Sequence, residues 1–571
     1  MTTLIQCFGL THRAGTRPLF EELDLTISSG DRIGLVGHNG CGKSTLLKLL
    51  AGAIAPEGGD ISRSRELRLE TVEQFMNDAL MDATLFEALA CKLPDEERAY
   101  SEYRASALLD ELGFEPASHS HRVRDLSGGQ QNRLMFARAM INEPNFVLFD
   151  EPTNHLDLKT LLFFESYLQS LTGGYLLISH DREFLDAVTT RTLFLRDQRL
   201  WSFNLPFSEA RARLAEMDDA AAAARASEEK EIAGLRASAK RLATWGKVYD
   251  NEKFARKAKS MEKRIERMED DKTFVSRGSG LNLELDVQQS RANRMLALEQ
   301  CSIEAPDGTL LFEVDEIFIR PGDRIALLGH NGVGKTTLIN RLMDVWRSGE
   351  PDEHVRFNPQ CDIGYYDQEL ETLDKTLTLT ETLREHCQGS ENTYKSALIK
   401  AGFPYLDLDK PVEVLSGGER ARLMFLVIKL NAPNFLILDE PTNHIDIQGK
   451  EELEEQILAS GATTLVTSHD RRFVDTIAER YWLIENGRLY ETGSPAGFYR
   501  QADEVQQTRD APKRAPATPK TPDDDEEALL TRLVELEALL NADLDRKPKF
   551  QKPERQAAWR EEIAAINRRL E

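Results

Sequence analysis

The sequence contains one domain written twice. Gly37-His38-Asn39-Gly40-Cys41-Gly42-Lys43-Ser44 returns as Gly329-His330-Asn331-Gly332-Val333-Gly334-Lys335-Thr336. Leu126-Ser127-Gly128-Gly129-Gln130 returns as Leu415-Ser416-Gly417-Gly418-Glu419, Asp150-Glu151-Pro152-Thr153-Asn154-His155 as Asp439-Glu440-Pro441-Thr442-Asn443-His444, and Ser179-His180-Asp181-Arg182 as Ser468-His469-Asp470-Arg471. The offset is 292 residues for the first motif and 289 for the other three. Four separated motifs repeated in one order at nearly constant spacing mean a duplicated domain, so the chain must build two copies of one architecture. The copies are expected over 1–205 and 295–502, with a charged, helical segment over 206–294 between them. A Pro-rich linker is expected over 503–525 (Pro512, Pro516, Pro519, Pro522) and a second helical segment over 526–571.

Composition narrows the class of function. No run approaches the 18 or so apolar residues of a spanning helix. Met1–Gln6 has no signal-peptide character, and the six cysteines form no CxxC pair. A reducing, cytoplasmic setting without a membrane segment is expected. The net charge of −24 would repel nucleic acid from the chain as a whole, so any such contact must come from a local basic patch.

GxxxxGK[ST] is a phosphate-binding loop when it follows a strand and opens a helix. Arg32–Val36 and Arg324–Leu328 read as the strands, and Thr45–Leu50 and Thr337–Ile339 as the helix starts. Gly37, Asn39, Gly40 and Gly42, with Gly329, Asn331, Gly332 and Gly334 in the second copy, shape a backbone whose N–H groups face phosphate. Lys43 and Lys335 are expected to reach the β- and γ-phosphates of ATP or GTP, Ser44 and Thr336 to ligate Mg²⁺, and Thr45 and Thr337 to complete the loops. Phe146–Phe149 and Phe435–Leu438 are apolar runs that suit buried parallel strands. Each ends in two acids. Asp150 and Asp439 are placed to hold Mg²⁺, and Glu151 and Glu440 to orient and deprotonate the attacking water. Cys41 reads as a small filler rather than a redox switch.

Together these motifs resemble an ABC-type ATPase. The tandem copies and the Asn-His after Asp-Glu-Pro-Thr resemble the ABC-F subfamily in particular. The resemblance covers about 1–502 and implies an α/β fold of two tandem ABC-type P-loop ATPase domains joined by an α-helical hairpin linker. It implies a monomer with an intramolecular head-to-tail sandwich. ATP on the first loop would be capped by Ser416, Gly417 and Gly418, and ATP on the second by Ser127, Gly128 and Gly129. His180 and His469 match the switch histidine at the γ-phosphate. Gln74 and Gln368 match the glutamine that touches Mg²⁺ and water, and Asp157 and Asp446 match the loop that crosses the interface. Both sites then hydrolyse ATP. The family usually stacks adenine on an aromatic upstream of the first strand. Here Ala14 stands in that place and the second copy also lacks an aromatic, which leaves His12 or Arg13 for the first base.

The segment between the copies carries a local charge opposite to that of the whole. Eleven basic and four acidic residues lie between Arg236 and Arg267. Phe254, Ala258, Met261, Ile265 and Met268 make a heptad seam that Leu235, Ala239 and Leu242 of a preceding helix can face. An antiparallel hairpin is expected, its first helix running from Pro206 to about Thr244 and its tip near Trp245–Tyr249. Lys247, Lys253, Arg256, Lys257, Lys259, Lys263 and Arg264 are the candidate RNA contacts. In ABC-F proteins the matching linker reaches the ribosomal E site, so the resemblance implies the ribosome, its rRNA and tRNA, as partners. Leu529, Leu533, Leu536 and Leu540, with Trp559, Ile563, Ile566 and Leu570, predict a C-terminal coiled-coil hairpin similar to that of Uup-type members. Its basic turn (Arg546, Lys547, Lys549, Lys552, Arg555) makes DNA the alternative partner. Two rival readings are an ATPase acting on branched DNA through this tail and the nucleotide-binding subunit of a membrane transporter.

Overall fold

The computed structural model describes residues 2–72, 76–93, 102–153, 156, 158–248, 252–270, 293–443 and 445–499, all within one compact unit. The Pro-rich linker and the C-terminal coiled coil lie outside the described residues.

The two copies share one strand order. In the first, Leu69–Val72, Phe146–Asp150, Gly174–Ile178, Arg32–Val36, Arg191–Arg196 and Arg199–Phe203 lie side by side; the first five are mutually parallel and the last is antiparallel. In the second, Ile363–Tyr366, Phe435–Asp439, Thr463–Thr467, Arg324–Leu328, Arg480–Glu485 and Arg488–Thr492 repeat that order and hand. The second sheet continues into Leu310–Ile319, Leu296–Glu304 and Val355–Phe357. In the first copy the equivalent strands, Arg17–Ser28, Thr3–Ala14 and Gly58–Arg63, form a separate antiparallel sheet. Helices cover the parallel strands on both faces, which is why the central runs are apolar throughout rather than alternating. Phe146, Leu148 and Phe149, like Phe435 and Ile437, are fully buried, and each such side chain contributes about 1.5–3 kcal/mol relative to exposure.

The halves interlock. Leu158 of the first half is buried in the core that holds Leu453 and Phe473 of the second. Its equivalent Ile447 is buried in the first-half core with Phe184 and Leu161. Each follows the loop after Asp-Glu-Pro-Thr, so the repeat places one apolar knob of each half in the other.

The hairpin forms around part of the expected seam, with Ile232 added and Leu242, Phe254 and Ala258 outside the cluster. Ile232, Ala239 and Ile265 are buried together, with Leu235, Met261 and Met268 packed against them. Its first helix, Phe207–Val248, runs past the expected end at Thr244; the second is Glu252–Asp270. Trp245 is therefore a helical residue. It is half exposed, with its ring edge-on to Phe254 at 6.4 Å, and the helix continues through Gly246 to Val248. Among the described residues no helix is long and apolar enough to cross a membrane.

Candidate nucleotide sites between the halves

The chemistry-bearing residues lie at the C-terminal ends of neighbouring parallel strands, where ligands bind in open α/β sheets. The first glycine loop leaves Arg32–Val36 and enters the helix Lys43–Ala51. Gly42 sits at φ 104, and a Cβ there would meet Phe20 Cε1 at 2.8 Å; Gly334 repeats this at φ 106 against Leu311 and Phe312. Only glycine fits both the left-handed backbone and the packed side chains. Lys43 Nζ donates to the carbonyls of Gly37 (2.8 Å) and His38 (3.3 Å), and Lys335 Nζ to Gly329 (2.8 Å) and His330 (3.2 Å). Each loop thus curls around its own ammonium. Thr45 and Thr337 lie in the first turns of the helices that follow. Cys41 is buried, and burial pushes its thiol up from its ordinary value, so it fills space as expected.

Ser44 Oγ donates to Asp150 Oδ1 at 3.1 Å, and the Thr336 hydroxyl hydrogen-bonds Asp439. Burial pushes both aspartate carboxyls above the usual range, against the hydroxyls that donate to them: Ser44 to Asp150, and Thr467 at 2.6 Å with Thr336 to Asp439. Asp439 Oδ2 is buried with no hydrogen-bond partner among the described residues. Such an atom is costly unless something positive meets it. Among the described residues no cluster of three or more His, Cys, Asp or Glu forms a protein-only metal site. Each site instead offers one hydroxyl and one carboxylate, a donor set that fits Mg²⁺ shared with phosphate oxygens.

Glu151 and Glu440 both stand in left-handed backbone, at φ 51 and 49, a strained conformation that functional sites retain. The neighbouring strand holds it: Glu151 N donates to Ile178 O (3.1 Å), and Glu440 N to Thr467 O (3.1 Å) and Oγ1 (3.0 Å). His180 Nε2 lies 3.2 Å from Glu151 Oε1, and His469 Nε2 lies 3.5 Å from Glu440 Oε1. Burial, then the Lys43 ammonium, hold the His180 imidazole below its ordinary pKa, so it is neutral at neutral pH.

Ser127 and Ser416 each cap a helix, Gly128–Met140 and Gly417–Asn431, in a capping box with Gln130 or Glu419. The glycine N–H groups of that first turn therefore remain for an anion.

A cavity of about 1080 Å³ joins parts of both halves. His38, Asn39, Gly40, Glu151 and His180 line it from the first half; Ser416, Gly417 and Gly418 line it from the second. Asn331, Gly332, Gly334, Lys335, Thr336, Thr337, Gln368, Asp439, Glu440 and His469 also line it. Ser127, Gly128 and Gly129 are not in this lining, and Gln74 and Asp157 lie outside the described residues. Asp446 crosses between the halves: its Oδ2 accepts from Asn39 N at 3.1 Å while its Oδ1 caps its own helix at Gly449 N (2.9 Å). Arg17 also lines the cavity, and His12 and Arg13 are not in its lining; His12 and Arg13 pair with Phe20 and Pro18 of the neighbouring strand.

Charged side chains clasp the halves below the cavity, related by the repeat. Arg182 Nη1 donates to Glu454 Oε2 at 3.1 Å. Its equivalent Arg471 pairs with Glu165, the equivalent of Glu454, and reaches Glu183 Oε2 at 2.7 Å. Arg211, at the base of the hairpin, pairs with Glu451 at 2.9 Å. Sequence reasoning missed these partners and Arg17. Arg182 and Arg471 stood in a recognised motif, but the glutamates have no motif of their own.

On the hairpin, Lys253, Arg256, Lys257, Lys259, Lys263 and Arg264 are exposed, Lys247 lies in the first helix, and Arg264 pairs with Glu231 at 3.0 Å.

The family model described as "ABC transporter" matches residues 20–154 and 315–443. The chain is 30% identical over 545 residues to the probable ATP-binding protein YheS of Escherichia coli K12, covering 88% of this chain and 83% of that protein. It is 27% identical to ABC transporter F family member 5 of Arabidopsis thaliana, covering 88% and 78%. Among solved structures, the archaeal ribosome recycling factor aABCE1, in complex with ribosomal stalk protein aP1, superposes with a TM-score of 0.58 over 87% of this chain and 92% of that one, at 21% identity.

Proposed function

The chain belongs to the ABC ATPases, in the ABC-F subfamily, and from that premise we propose that it is a cytoplasmic, ribosome-directed ATPase whose two halves close on ATP. The observation that supports the reading is the shared cavity, whose lining includes His38, Asn39 and Gly40 of the first glycine loop and Ser416–Gly418 of the other half. A γ-phosphate there is held from both sides; by the repeat, Ser127–Gly129 cap ATP on the loop of Lys335.

The residues act as follows. Lys43 and Lys335 exchange their own loop carbonyls for the β- and γ-phosphates. Ser44 with Asp150, and Thr336 with Asp439, would hold Mg²⁺, assisted by Gln74 and Gln368, and the ion supplies neutralisation of the charge on the transferring phosphoryl. Glu151 and Glu440 orient the water and take its proton. His180 and His469 donate toward the γ-phosphate while contacting those glutamates. Hydrolysis removes the group that both halves grip, so the halves part.

Closure at the base of the hairpin, where Arg211 ties it to the second half, presents its basic face to rRNA and tRNA. Support comes from the excess of basic residues between 236 and 267 in a chain of net charge −24. The likeness in fold to an archaeal ribosome recycling factor supports the same reading. The test uses Glu151→Gln with Glu440→Gln, which should hold ATP unhydrolysed and co-sediment with ribosomes. Adding Lys257→Glu, Lys259→Glu and Lys263→Glu should weaken that binding and reduce the log–log salt slope by about 0.7–0.9 for each lost phosphate contact. Failure of the ATP-loaded double variant to co-sediment sinks the ribosome reading; an unchanged slope makes the hairpin a spacer.

A further inference from the structure

The second glycine loop leans on a residue that belongs to no motif. The ring of His330, in that loop, lies 5.4 Å from the ring of Phe498, tilted by 51°. Phe498 is 8% exposed and sits in the second-half core with Leu328 and Leu483. Leu328 ends the strand that feeds the loop. The next residue, Gly329, lies close against the strand Arg480–Glu485, where an added Cβ would meet Ile484 O at 3.4 Å. Phe498 supports the residue after that. It comes from a short turn that follows the strand Arg488–Thr492. In that turn Tyr499 N donates to Pro495 O at 3.1 Å and Ala496 N to Ser494 Oγ at 3.2 Å. Tyr499 packs against the same core.

The ring contact reaches the chemistry through one backbone oxygen. His330 O accepts from Lys335 Nζ at 3.2 Å and from Val333 N at 3.4 Å. When Lys335 turns to the phosphates, that carbonyl loses its ammonium, and the loop must keep its curl without it. The bond from Val333 and the contact with Phe498 then still hold His330. A loop pre-set in its bound shape gives up less conformational freedom when ATP arrives, and binds more tightly for that reason. Neither ring is in the cavity lining, so the pair acts on ATP through the loop and not by touching it.

We infer that Phe498 is a positioning residue for the second phosphate loop, supplied by the turn after the last strand, and that it raises ATP affinity at Lys335 by fixing His330. This rests on the ATPase reading and adds to it a residue 163 positions beyond the lysine it serves.

The experiment measures affinity for ATP with Mg²⁺ in two backgrounds. Lys43→Ala confines tight binding to the second loop, and Lys335→Ala confines it to the first. Phe498→Leu keeps an apolar side chain in the core and removes the ring. An aromatic pair contributes about 2- to 12-fold to an equilibrium constant beyond its burial, so Phe498→Leu should weaken binding about fivefold in the Lys43→Ala background and less than about twofold in the Lys335→Ala background. His330→Ala should also weaken binding at the second loop. Adding Phe498→Leu to it should then cost less than about twofold more, because residues that act through one contact are not additive. Equal losses in the two backgrounds would make Phe498 an ordinary core residue, and full additivity with His330→Ala would show that the ring contact carries nothing. Either result overturns the inference, as does unchanged affinity throughout. Phe498→Met replaces Phe498→Leu in every arm if the leucine variant does not fold. Absence of ATP binding in the native chain would instead count against the reading beneath it.

Discussion

Exchanging Glu151 and Glu440 for glutamine together should lower steady-state ATP turnover by at least about 100-fold while leaving ATP binding intact, since a positioned general base contributes about 10²–10⁴ in rate. Glutamine keeps the size of the side chain but cannot accept the proton of the attacking water. The phosphate-binding parts, the glycine loops and the lysines, are untouched. The backbone at both positions is tied to the neighbouring strand, Glu151 N to Ile178 O and Glu440 N to Thr467, so the substitutions should not disturb the fold. Phosphate release and binding of a fluorescent ATP analogue check the two halves of this expectation. Turnover within about threefold of the native chain would show that these acids are not the bases.

Arg182→Ala should be among the most destabilising single substitutions in the described chain. Arg182 is 1% exposed and bonded across the interface to Glu454, with Asp470 at 3.8 Å. Removing the guanidinium leaves Glu454 buried and uncompensated, which costs about 3–5 kcal/mol, whereas replacing both partners with apolar side chains of similar size is often close to neutral. Arg182→Met with Glu454→Leu should therefore be more stable than Arg182→Ala alone, a non-additivity expected of groups in contact. The twin Arg471→Ala should cost less, because Arg471 is 16% exposed at the side chain and water can reach what it leaves behind. Denaturant midpoints for the native chain and the three variants test the order. A Glu454 that tolerates loss of Arg182 as readily as Glu165 tolerates loss of Arg471 would contradict the burial argument.

Much of this was legible in the sequence. The strands Arg32–Val36 and Arg324–Leu328 fall where the apolar runs before each GxxxxGK[ST] placed them, because strand, loop and helix are consecutive and local chemistry determines them. Part of the hairpin seam was legible for the same reason, Met261, Ile265 and Met268 being set by period alone. The contacts between the halves were not. Lys450 Nζ donates to the backbone carbonyl of His180, 270 residues away, at 2.9 Å, and nothing in Ile447-Gln448-Gly449-Lys450 marks the lysine. The pairing of Arg182 with Glu454 follows only once the repeat has been folded and turned to face itself. Arg17, which lines the cavity, was missed because it lies outside every motif, at the start of the strand Arg17–Ser28.

The account turns on ATP drawing the two halves together. Small-angle scattering of the Glu151→Gln, Glu440→Gln chain, with and without ATP and Mg²⁺, reads this directly. The account predicts a smaller radius of gyration and a shorter maximum dimension with nucleotide, and no change with ADP. Identical profiles in all three conditions, with ATP shown to be bound, would contradict it.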